Sequence, residues 1–182
     1  MMTFYRRNLP HWHPPGEDIF LTWRLKGSLP VHLRELSSRE EPGKRFLDLD
    51  RALDRADVGP LWLREPRVAD CVQQALHKAQ NNHLAAVHAY AIMANHVHVL
   101  FTPSAPLPKI TRLFKGATSR QANLLLGFTG SHFWQDESFD HWVRNPLEWQ
   151  KIRAYIERNP VAAGLVRIPE DYPWSSASHP IK

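Results

Sequence analysis

A chain of 182 residues, 43% hydrophobic and 10% aromatic, can bury one core and is not disordered by composition. Its formal charge of +5, from 23 Lys+Arg against 18 Asp+Glu, favours an anionic partner, of which nucleic acid is the commonest. Cys71 is the single cysteine, which excludes an intrachain disulfide and a cysteine-based zinc site. No apolar run approaches the roughly 20 residues needed to cross a bilayer, and the N-terminus lacks the apolar core of a secretory signal. A cytoplasmic protein with no membrane partner is expected.

Residues 4–16 mix proline, aromatic and basic side chains and predict an extended arm. The arm's His11 and His13 stand beside Pro14 and Pro15 without a strand pattern and read as loop. Ile19–Arg24 is rich in β-formers and predicts the first strand, closed by Gly27-Ser-Leu-Pro30. Residues 31–65 are charged and irregular, partly helical over Lys44–Val58. They read as an insertion in which nothing suggests chemistry. From Pro66, Val68, Val72, Ala75, Leu76 and Ala79 fall on one helical face that ends at Asn81-Asn82. Strands are predicted over 83–93 and 96–102, before Pro103 and Pro106 break the chain.

Residues 107–126 predict an amphipathic helix with Ile110, Leu113, Phe114, Ala117, Leu124 and Leu125 on its apolar side. Lys109, Arg112, Lys115 and Arg120 flank that stripe. Such a row can hold a phosphate backbone or simply be a solvated face. A fourth strand or extended segment is expected over 132–144. Asn145-Pro146 is a helix start, and the helix should run to Asn159, where Pro160 stops it. Apolar anchors should order the tail, residues 161–182. The order predicts a single α+β domain of ferredoxin-like type, an antiparallel sheet with helices on one face.

Ala94-Asn95 joins two of these strands, and the second opens on His96-Val-His98. Alternation along a strand sends His96 and His98 to one side and Val97 to the other. Two adjacent buried imidazoles need a partner, either backbone hydrogen bonds or a divalent metal. On the last helix Tyr155 and Asn159 are four residues apart, hence on one face. Asn159 offers a carbonyl oxygen as a third ligand. Tyr155 beside a metal could attack a polarised phosphate, although a free phenol with a pKa near 10 is a poor nucleophile.

Asn95-His-Val-His-Val-Leu100, Phe133-Trp-Gln-Asp-Glu-Ser-Phe-Asp-His141 and Tyr155-Ile-Glu-Arg-Asn-Pro-Val-Ala-Ala-Gly-Leu-Val166 occur here in order. Together they resemble the REP-associated tyrosine transposases of the single-tyrosine HUH (IS200-like) superfamily. Tyr5-Arg-Arg, Phe20-Leu-Thr-Trp-Arg24 and Asp171-Tyr-Pro-Trp-Ser-Ser176 are similar to that group as well. The resemblance implies an HUH strand in the middle of the sheet. It also implies an enzyme that cuts single-stranded DNA beside a hairpin, with Mg²⁺ or Mn²⁺, through a 5′-phosphotyrosine intermediate. By the same resemblance Tyr155 is the nucleophile, His96, His98 and Asn159 are metal ligands, and His141 lies near the site. Arg6, Arg7, Lys109, Arg112, Lys115 and Arg120 would contact DNA, with the protein a monomer or a homodimer. Ala94 and Phe139 depart from the proline and tyrosine that relatives often carry there. Competing readings are a non-catalytic, sequence-specific DNA-binding protein and a metal-dependent phosphodiester hydrolase that uses water.

Overall fold

The computed structural model describes residues 16–30, 33, 43–128 and 130–181, with the backbone alone of 5–6, 10–11 and 42. Strand β1 (Tyr5–Arg6) pairs antiparallel with β2 (Pro10–His11), so this part of the arm is extended. Arg7 and His13 lie outside the described residues, as does the side chain of Arg6. There follow β3 (Ile19–Arg24), α1 (Pro42–Arg55), α2 (Pro66–Asn81), β4 (Ala85–Ile92) and β5 (His96–Pro103). The chain then forms α3 (Leu107–Arg112), α4 (Thr118–Leu126), β6 (Phe139–Trp142) and α5 (Pro146–Ala162).

β3 to β6 form one antiparallel sheet in the order β4-β5-β3-β6, which places the histidine-bearing strand in its interior. Residues His96 to Phe101 are all buried. Val97, Val99 and Phe101 pack with Leu21, Trp23, Val72, Leu76 and Phe114 in one core. Leu100 packs on the other face with Phe20, Ala89, Ala91 and Ile156, against Phe46 and Tyr155. Helices therefore cover both faces, where cover on one was expected. Both parities of β5 are buried, and a strand buried on both sides needs a layer on each.

Three local departures have identifiable causes. The helix expected over 107–126 is interrupted by a π-helical turn at Leu113–Ala117. There the Thr118 hydroxyl donates to the Phe114 carbonyl and accepts from Trp134 Nε1 at 2.8 Å, drawing the turn open. The expected strand at 132–144 is regular only over Phe139–Trp142, because Phe133 and Trp134 turn into the core. Finally, α5 runs through Pro160 to Ala162. Pro160 lies in the last turn, where its missing N–H costs one bond, and Ala163, Gly164 and Leu165 cap the end by donating to Asn159, Val161 and Pro160.

The segment before α2 is tied down at Gly59. Its φ is +82°, and a Cβ there would lie 2.3 Å from the Gly27 carbonyl oxygen, so only glycine passes over that turn. The tail is held by main-chain bonds along the free edge of β4, Ile92 N to Trp174 O at 2.9 Å and Ser176 N to Tyr90 O at 2.9 Å. No helix is long and apolar enough to cross a membrane among the described residues.

Candidate active site

Register places the two imidazoles. On β5, His98 lies opposite Thr22 of β3 and Ala91 of β4, and His96 lies opposite Arg24. His96 Nδ1 meets Asn95 Oδ1 at 2.7 Å; that oxygen only accepts, so Nδ1 carries the proton and Nε2 presents a lone pair. His98 Nδ1 meets Thr22 Oγ1 at 2.8 Å. Both Nε2 atoms turn inward and stand 3.0 Å apart. The rings are 1% and 0% exposed, and burial drives each pKa down to about 3, helped at His96 by the neighbouring His98. Both rings are thus neutral at neutral pH, the form that binds metal.

α1 supplies the group that the sequence pattern did not reveal. Its apolar residues Phe46, Leu49, Ala52 and Leu53 pack inward, and Asn95 Nδ2 donates to the Leu53 carbonyl at 3.0 Å, fixing the helix end over the β4–β5 turn. This brings in Asp50, with Oδ1 3.4 Å from His98 Nε2 and 3.7 Å from His96 Nε2. Among the described residues, Asp50, His96 and His98 form a buried group able to hold a metal ion. Segment 31–65, in which no chemistry was expected, contributes one of its three members.

α5 completes the surround. The Tyr155 hydroxyl donates to Asp50 Oδ2, and Asn159 Nδ2 lies 3.5 Å from the same oxygen. Tyr155 is walled by Phe20, Phe46 and His98, with ring centroids 6.2, 6.3 and 5.8 Å away. Phe139 stacks on Phe46 at 4.2 Å, so the aromatic wall extends across β6. Burial and then the Asp50 carboxylate push the Tyr155 phenol well above its ordinary pKa. Burial also raises Asp50 above the ordinary carboxylate range.

The buried oxygens Asp50 Oδ1, Asp54 Oδ1 and Asn159 Oδ1 have no hydrogen-bond partner. Orphaned buried acceptors are costly, and three on residues grouped about Asp50, beside the two inward Nε2 atoms, fit a cation. These donors, imidazole nitrogen with carboxylate and amide oxygen, suit Mg²⁺ or Mn²⁺, with the nitrogens favouring the latter.

Asp54, 3.6 Å from His96 Nε2, has its pKa raised to about 7 by burial and then by Asp50. A raised carboxylate pKa adds stability below the unfolded value near 4 and loses it as pH rises through 7. Asp54→Asn is therefore expected to stabilise the metal-free protein at pH 8 by about 1–2 kcal/mol, with no gain at pH 4. Thermal melts across that pH range check this; a pH-independent gain would exclude the ionisation as its cause.

Of the remaining expected residues, His141 pairs across β3–β6 with Phe20, whose ring stacks on His98, and the cations lie elsewhere. His141 of β6 bonds Glu148 Oε1 at 2.9 Å, and Glu148 Oε2 accepts from Arg144 N at 2.7 Å. Asn145 caps the helix by accepting from Glu148 N, and Glu148 reaches back to the N–H of the residue before the cap, which anchors the helix that bears Tyr155. Lys109, Arg112 and Arg120 are exposed on α3 and α4, on the far side of the sheet from His96 and His98. Lys115 donates to the Asp136 carbonyl at 2.8 Å and to Ser138 Oγ at 3.1 Å. With Arg112 it lines a groove of about 780 Å³ between these helices and residues 130–140.

Residues 62–159 match the family model described as "Transposase IS200 like". The curated REP-associated tyrosine transposase of Escherichia coli (strain K12) is 26% identical over 109 residues, 58% of this chain. That match spans 62% of the relative's own length. A solved REP-associated tyrosine transposase bound to a REP hairpin superposes with a TM-score of 0.60 at 18% identity, over all of this chain and 88% of the other. The matched family segment carries His96, His98, Tyr155 and Asn159 and covers more than half of the chain, which belongs to the IS200-like transposase family.

Proposed function

We propose that this chain is a metal-dependent single-strand DNA endonuclease and strand transferase that acts beside hairpins formed by palindromic repeats. One observation carries the reading: the Tyr155 hydroxyl and the two inward-facing imidazoles meet on a single carboxylate, Asp50. A nucleophile and a cation cradle thus share one pocket. In the step proposed, the Tyr155 oxygen attacks phosphorus and the P–O3′ bond breaks. A 5′-phosphotyrosine and a free 3′ hydroxyl remain, and that hydroxyl can reverse the reaction on another end.

His96, His98 and Asn159 would hold the cation, with the phenol aimed beside them by the one-turn spacing of α5. A divalent cation there supplies charge neutralisation at the non-bridging phosphate oxygens. The aromatic wall of Phe20 and Phe46 keeps the phenol in place and water out. The hairpin as substrate class is supported by the fold neighbour, whose structure includes a REP hairpin.

The test is a denaturation-resistant protein–DNA species formed from a single-stranded hairpin oligonucleotide with Mn²⁺. Its formation supports transfer to Tyr155. Hairpin binding without an adduct under any metal supports the non-catalytic reading, and cleavage without an adduct supports hydrolysis by water.

The exposed cations of α3 and α4 are proposed to hold phosphates. Arg112→Ala with Arg120→Ala is expected to weaken hairpin binding for all sequences alike and to reduce the salt slope by about 2, one per cation. Binding isotherms at several salt concentrations measure that slope. An unchanged slope would mark these residues as a solvated face.

A further inference from the structure

The ligands proposed in the family-matched segment, two imidazoles and one amide, are all neutral donors. A dication held by these alone would sit uncompensated in a buried pocket, and buried charges are paired. The one anion with an oxygen within 4 Å of both ring nitrogens comes, among the described residues, from α1, outside the matched segment. Asp50 is 1% exposed, and its two oxygens face different groups. Oδ1 looks at both Nε2 atoms and has no hydrogen-bond partner, whereas Oδ2 accepts the Tyr155 hydroxyl.

We propose that Asp50 is both a metal ligand and the positioning residue of Tyr155, its Oδ1 turned to the cation and its Oδ2 holding the phenol oxygen beside it. The role given to Tyr155 rests on the functional reading above; the contact of Asp50 with a cation does not. The cation and the phenol then draw on the same carboxylate, so each weakens the hold of the other. This is a coupling that a purely structural aspartate lacks.

The experiment is a Mn²⁺ titration of the full chain, with free Mn²⁺ read by electron paramagnetic resonance. It compares wild type, Asp50→Asn, Tyr155→Phe and the double variant, with far-UV circular dichroism to check folding. Asp50→Asn is expected to weaken Mn²⁺ binding at least about tenfold. Tyr155→Phe, by freeing Oδ2, should tighten it about two- to fivefold, and that gain should vanish in the Asp50→Asn background. A folded Asp50→Asn protein that binds Mn²⁺ like wild type overturns the proposal, as does an equal Tyr155→Phe effect in both backgrounds.

Asp50→Glu keeps the charge but displaces the oxygens. It should hold Mn²⁺ within a few-fold, yet form adduct about tenfold more slowly at saturating DNA. An unimpaired rate overturns the positioning half. Wild type that binds Mn²⁺ but forms no adduct overturns the functional reading, while the titrations still decide the metal role of Asp50.

Discussion

Tyr155→Phe is expected to abolish the covalent protein–DNA species, by about 10³-fold or more, while hairpin binding stays near wild type. The size follows from the chemistry: with the phenol oxygen gone, no phosphotyrosine can form, and a nucleophile acts in an all-or-none way. Phenylalanine keeps the ring that Phe20, Phe46 and His98 surround, so the pocket retains its packing. Asp50 Oδ2 loses its main donor and keeps only Asn159 Nδ2 at 3.5 Å, a change of about 1–2 kcal/mol in stability. Denaturing gels of labelled hairpin DNA with Mn²⁺ measure the adduct, and a melt measures stability. An adduct that persists in this variant would place the nucleophile on another residue.

His98→Ala is expected to remove the response to metal altogether. At 100 times its dissociation constant, a bound ion stabilises a folded protein by about 2.7 kcal/mol. For a chain of this size that is a rise in melting temperature of about 5–10 °C. The wild type should show this rise with Mn²⁺ and His98→Ala should not, with adduct formation lost in parallel. Since the ring is fully buried between Phe20 and Tyr155, the alanine variant will also melt lower without metal. The Mn²⁺-induced shift is therefore the diagnostic quantity. An undiminished shift would show that the ion binds elsewhere.

The same imidazoles set a pH limit for the metal-free protein. Their folded pKa values lie at about 3, below the ordinary 6.5. The stability they contribute is complete above 6.5 and is lost as pH falls from there toward 3, because only the unfolded chain takes up their protons. Asp54 opposes this between pH 4 and 7, since its folded carboxyl takes up a proton first.

The Tyr155–Asn159 pair and the imidazole pair were legible because each is a local pattern. His96 and His98 share a face by strand alternation, and Tyr155 and Asn159 by helical spacing; the geometry of one element suffices for either pair. Asp50 was not legible. It lies among Asp48, Arg51, Asp54 and Arg55, where charge resembles an ordinary solvated face. Its only signal was the spacing of Asp50 and Asp54 along the apolar stripe of Phe46, Leu49 and Leu53. The π turn at Leu113–Ala117 was equally hidden, since its cause is a hydrogen bond from Trp134 to Thr118 across 16 residues.

By itself the sequence determined the three strands of β3, β4 and β5, most helix starts and the two residue pairs proposed to carry chemistry, since each depends on contacts within a few residues. The tertiary structure decided that both faces of the sheet are covered, and that the cations of α3 and α4 lie across the sheet from the histidines. It also decided that a carboxylate 46 and 48 residues before the imidazoles, and 105 before Tyr155, sits between them. That placement depends on the packing of α1, on Gly59 crossing the turn at Gly27 and on Asn95 holding Leu53, none of which follows from the periodicity of a single segment.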